Sequence, residues 1–210
     1  KTKKEYLSLL EEISQKREEL KLRYLSSTLE QKKQVVREAQ DYLFDRLTKD
    51  IFPTWYKTEW SFNGHTTIPG EGSIACGYFV TTTLQQVGFD ISRITLARQP
   101  SETMIKNLTD TSNIKRYSNK KVEEIIREIE KEENSLYIVG LDYHTGFIIN
   151  DGKTPPKFVH SSYYDPLLSV VAEPLDSNNP LRDSKYRVTG RILTNDMIKK
   201  WIKGERFKIE

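Results

Sequence analysis

The chain holds one cysteine and three histidines. Cys76, in "GSIACGYFV", follows a small, turn-forming stretch (Gly72, Ser73, Ala75) and opens an apolar run at helical spacing: Phe79, Val80, Thr83, Leu84 and Val87, with Gly88 placed as a C-terminal stop. A thiol at a helix N-terminus meets free N–H groups and the positive end of the macrodipole, and both favour the thiolate. A lone cysteine is equally suited to filling a core as a small hydrophobe. His144 and His160 stand on successive β-rich runs, "HTGFIIN" (144–150) and "KFVHSSY" (157–163), so their imidazoles can be neighbours. One histidine against the thiol could take its proton and return it to a leaving amine, while the second held the first in place. Each also has a plainer role, as a turn histidine and as a strand histidine bonded to backbone. His65, His144 and His160 include no closely spaced ligand pair such as His-x-x-x-His, so neither a metal nor a cofactor is expected.

The elements that must position these groups follow from periodicity. Tyr6, Leu9, Leu10, Ile13, Leu20 and Tyr24 approximate one apolar stripe of a first helix. Ser27 with Glu30 has the spacing of a capping box for a second helix, whose apolar face is Val35, Val36, Ala39, Tyr42, Leu43, Leu47 and Ile51, and Pro53 is expected to end it. Residues 55–75 are aromatic, glycine-rich and irregular, and read as a long loop of the kind that carries function. Short helices are expected at Ser101–Leu108 and Val122–Glu132. The period then changes to strands at 135–141, 144–150, 157–163 and 185–193, with "NDG" (150–152) supplying a turn, and a closing helix at 194–204 capped by Thr194 or Asn195. Residues 173–184 read as a surface loop. Helices followed by an antiparallel sheet give an α+β class.

Composition narrows the partners. Lys and Arg (33) nearly balance Asp and Glu (30), leaving a net charge of +3, which argues for neither nucleic acid nor an anionic membrane. No apolar run approaches the roughly 18 residues that span a bilayer. A single cysteine allows no intramolecular disulfide, and Lys1 in place of methionine reads as the start of a trimmed or mature chain, so a targeting segment is not visible.

Taken together, "CGYFVTTTLQQVGF" and "YHTGFIINDGKTPPKFVHSSY" resemble the NlpC/P60 family of papain-like cysteine peptidases, over about residues 35–165. The resemblance implies a papain-like fold with residues 1–27 as an N-terminal helical extension and 28–210 as the hydrolase domain. It implies Cys76 as nucleophile, His144 as base and His160 as the orienting third residue. "WSFNGHT" (60–66) is similar to the family's oxyanion loop, with Trp60 where a tyrosine is usual and Asn63 in place of a glycine. His65 and Ser73 are further oxyanion candidates, and Tyr163 with Tyr164 could wall the cleft. Ala75 and Gly77 stand where the family usually carries Asp and Ser. The implied activity is hydrolysis of an amide, with a peptidoglycan stem peptide as substrate and location in the cell envelope or beyond. The alternatives are an amidase or acyltransferase on another amide, and a catalytically silent papain-like domain that binds wall peptide or a protein partner through the N-terminal helix.

Overall fold

In the computed structural model, which describes residues 1–209, α1 (Lys3–Ser26) and α2 (Leu29–Asp45) form an antiparallel hairpin, each started by a threonine. Thr2 and Thr28 accept from the backbone N–H three residues on, and Glu5 or Gln31 reaches back to the threonine's own N–H. The capping box thus lies one residue beyond the expected Ser27–Glu30 pair. Ser27 closes α1 instead, its hydroxyl donating to the Arg23 carbonyl. Tyr6, Leu9, Ile13 and Leu20 are the buried stripe of α1.

The second helix does not stop at Pro53. It passes through a widened turn, Arg46–Ile51, into α3 (Phe52–Trp55). Pro53 sits in the first turn of α3, where its missing N–H leaves no helical bond unmade. The wide turn, closed by the Phe52 N–H on the Leu47 carbonyl, gives the ring room.

After the long loop come α4 (Cys76–Gln86), α5 (Arg93–Ala97), α6 (Ser101–Leu108), β1 (Ile114–Ser118), α7 (Val122–Ile129), β2 (Ser135–Leu141), β3 (Thr145–Asn150), β4 (Lys157–Ser161), β5 (Val170–Pro174), α8 (Pro180–Asp183), β6 (Tyr186–Arg191) and α9 (Asn195–Lys203). The class is α+β, with one six-stranded antiparallel sheet in the order β1-β6-β2-β3-β4-β5. The sequence did not foretell α5, β1, β5 or α8, and β5 and α8 replace part of the expected 173–184 loop.

Side chains alternate along a strand, so each face of the sheet builds its own core. Ile138, Phe147, Val159 and Val188 pack with α1, α2, α4 and α9 on one side, and Val139, Ile148 and Phe158 pack with Val122, Ile125 and Ile129 of α7 on the other. Helix α1 belongs to the first core. Trp55 Nε1 donates to the Tyr6 hydroxyl (2.9 Å), which donates to Gln86 Oε1 (2.6 Å) at the far end of α4. Trp201 of α9 bonds the Val87 carbonyl at that same end (2.7 Å). Clamped there from two sides, α4 presents its N-terminus to the start of β3. No helix among the described residues is long and apolar enough to cross a membrane.

Candidate active site

The position of Cys76 is set by the strap that leads into α4. The Ile74 N–H bonds the Glu59 carbonyl (2.8 Å) and the Ala75 N–H bonds the Gly64 carbonyl (2.9 Å). From the sheet, Ser161 Oγ donates to the Ile74 carbonyl (2.6 Å). Gly64 is required there, because a Cβ would lie 2.6 Å from the Ile74 nitrogen. At the helix tip Ala75 occupies the cap position with no side-chain acceptor, so it binds none of the N–H groups of the first turn. Gly77 is fixed by packing: a Cβ would stand 2.5 Å from the carbonyl oxygen of Ala97 at the end of α5. A serine at that position has no room.

Cys76 is partly exposed. Burial pushes its thiol pKa up, and hydrogen bonds to sulfur from the backbone N–H of Thr145, Gly77 and Cys76 itself pull it back part of the way. The helix tip alone argues for a lowered value. Burial outweighs it, so the resting sulfur is a thiol. The Thr145 contact puts that thiol one peptide from His144.

His144 and His160 are buried and joined, His144 Nε2 to His160 Nδ1 at 2.8 Å. Burial, then repulsion by His160, holds His144 well below the ordinary imidazole range, and burial takes His160 down to about 3. Both rings are therefore neutral at rest. His160 continues the chain through Nε2 to Glu173 Oε1 at 2.9 Å. The other nitrogen of His144, Nδ1, is buried without a hydrogen-bond partner. Local packing fixes these rings: Phe158 stacks on His160 at 3.9 Å and 10°, and Gly146 leaves out the side chain whose Cβ would lie 2.7 Å from the His160 Cβ. Asp142 accepts from the N–H groups of Lys185 (2.8 Å) and Tyr186 (3.1 Å), tying the β2–β3 turn that carries His144 to the start of β6.

The surroundings are aromatic. The Tyr163 ring lies 5.2 Å from His144, 5.9 Å from Trp60 and 5.0 Å from Tyr164. Phe62 and Tyr143 are exposed in the loops on either side. Cys76, His144, His160 and Tyr163 thus come together, with Trp60 behind Tyr163. Asn63 is exposed on the loop. His65 turns onto Tyr78, ring centroids 6.0 Å apart, and the Ser73 carbonyl accepts from Thr66 (3.0 Å) in a strand-like pairing of the loop with itself. Sequence reasoning missed Glu173, having placed it in a surface loop. Its only signal was weak: Glu173 and Asp165 are the two acidic residues in the segment after His160 that ends at Leu175.

No group of three or more His, Cys, Asp or Glu side chains among the described residues has the arrangement to hold a metal ion. Two clefts, about 680 Å³ and 620 Å³, lie beside α2 and between α6 and α9, and neither is lined by Cys76, His144 or His160. Comparison with protein families, curated proteins and solved structures finds no match to the chain.

Proposed function

We propose that the chain is a cysteine-dependent amide hydrolase with a papain-like fold of the NlpC/P60 type. The observation that carries this reading is the buried, unpartnered Nδ1 of His144, the residue before the Thr145 whose N–H bonds the Cys76 sulfur. Buried polar atoms are almost always satisfied, and an open, neutral imidazole nitrogen is what a general base needs to take a thiol proton. Cys76 Sγ attacks the carbonyl carbon while its proton passes to His144 Nδ1. The imidazolium then protonates the leaving amine, and water admitted to the same base hydrolyses the thioester. The N–H of Cys76 is a donor for the oxyanion, with the Trp60 indole on the far wall of the cleft.

The substrate that the resemblance implies is a peptidoglycan stem peptide, met in the cell envelope or outside the cell. A second reading, an amidase or acyltransferase on a different amide, is favoured by Gly77. The place of the family's polar side chain is filled by the Ala97 carbonyl, and Ala75 offers no acidic group for an ammonium.

Two measurements separate the chemistry from the substrate. Digestion of purified peptidoglycan, read by mass spectrometry, should release new fragments with the wild type and at least about a thousandfold less with Cys76→Ala. Identical chromatograms would remove the wall substrate. Iodoacetamide should alkylate Cys76 at neutral pH at least about tenfold faster in the wild type than in His144→Ala. Equal rates would remove the catalytic reading.

A further inference from the structure

The hydrogen-bonded chain of two imidazoles ends on a carboxylate that no part of the resemblance supplies. We propose that Glu173 is a positioning residue: its carboxylate fixes the tautomers of His160 and His144 together, leaving His144 Nδ1 bare to take the Cys76 proton. The inference rests on reading Cys76 and His144 as nucleophile and base.

The argument is one of donors and acceptors. A neutral imidazole carries one N–H and one lone pair, and a carboxylate can only accept. Glu173 Oε1 lies 2.9 Å from His160 Nε2, so Nε2 must hold the His160 proton and Nδ1 must be bare. That Nδ1 lies 2.8 Å from His144 Nε2 and can only accept, so His144 carries its proton on Nε2. His144 Nδ1, the one ring nitrogen of the pair without a partner, is then bare. A donor in place of Glu173 would invert every step and turn an N–H towards the thiol, which would then have no base.

The carboxylate is itself placed for this. Glu173 and His160 are diagonal neighbours on one face of the β4–β5 pair, where Phe158 is opposite Glu173 and His160 opposite Val171. The Glu173 side chain is only 12% exposed. Burial raises the Glu173 pKa, and the Asn179 side chain, itself held by the Pro174 carbonyl (3.1 Å), draws it part of the way back. When the Sγ–H bond breaks, its electron pair stays on sulfur and its proton adds to His144 Nδ1. The positive charge then lies on a ring pair that ends at Glu173, in a low-dielectric setting where such charge complementarity is strong.

The test uses the intact chain labelled with ¹⁵N-histidine. Only three histidines are present, and exposed His65 serves as an internal reference. Long-range ¹H–¹⁵N spectra at neutral pH should find His144 and His160 each protonated on Nε2 and bare on Nδ1. In Glu173→Ala both rings should lose that single tautomer, and alkylation of Cys76 should slow at least about tenfold. Glu173→Gln, whose amide can accept or donate, should give mixed tautomers and an intermediate rate. An Nδ1–H on either ring of the wild type, or tautomers unchanged in a folded Glu173→Ala, would overturn the assignment. Wild-type tautomers alone decide the first point, so a variant that fails to fold leaves the proposal falsifiable. Should the tautomers be as stated while Cys76 alkylates no faster than in His144→Ala, the catalytic reading fails and the role of Glu173 in fixing the rings stands.

Discussion

The α1–α2 hairpin and the end of the sheet where α4 meets β3 and β4 are built on opposite terms. In the hairpin, one apolar stripe is buried and the charges lie outside, where Arg23 bonds Glu38 at 2.7 and 2.9 Å in a partly solvated pair. At the sheet end, two imidazoles lie inside, the thiol beside them is largely shielded, and one nitrogen is left without a partner. The first region gains its stability from the buried apolar stripe. The second leaves a neutral imidazole nitrogen open.

Substitutions can break or sharpen that contrast. The largest effect is expected in the hairpin. Leu20→Ala, at a position with no exposure, should cost about 2–5 kcal/mol by urea unfolding, yet leave Cys76 alkylation unchanged in the folded fraction. A slowed thiol would mean that the two regions are one mechanical unit. Gly77→Ser should come next. Its Cβ must displace the Ala97 carbonyl, at about 1–3 kcal/mol, and here the alkylation rate should fall together with stability because the helix tip moves.

The smallest effect is graded by pH. Below the ordinary imidazole value of about 6.5, folded His144 and His160 hold fewer protons than the unfolded chain. Unfolding then takes up protons, so stability falls as pH drops from about 6.5 towards the folded value, which is about 3 for His160, by up to about 1.4 kcal/mol per pH unit for each histidine. Glu173, raised by burial, acts with the opposite sign just above its ordinary value of 4.5. Urea midpoints at pH 7 and pH 5 should differ less in His160→Gln than in the wild type. An unchanged difference would mean that the buried imidazole is charged in the folded state.

Much of the fold was legible because its signals are local. Helix α6 and strand β2 match their expected bounds, since each is one clean periodic run closed by turn residues. The two strands that were missed have short or interrupted patterns: "IKRYS" alternates only weakly, and "VVAEP" joins an apolar pair to an acid and a proline. Edge position explains both, because β1 and β5 each have a neighbour on one side only and tolerate polar residues and Pro174. In the site, Cys76, His144 and His160 could be named from their motifs. Glu173 could not, because its approach to His160 depends on register across β4–β5, which no spacing in the sequence encodes. The departure at Gly77 was visible, but its cause, the Ala97 carbonyl, belongs to a helix that the sequence did not announce.

Strand β4 carries the two halves of the site on adjacent residues. His160 bonds His144 on one face, and Ser161 pins the carbonyl two residues before the thiol on the other. A slip of one residue in this strand would exchange the faces, presenting a hydroxyl to His144 and an imidazole to the strap. Alignment of β4 is thus a checkpoint read from both sides, and reactivity at Cys76 becomes a direct report that the strand has found its place.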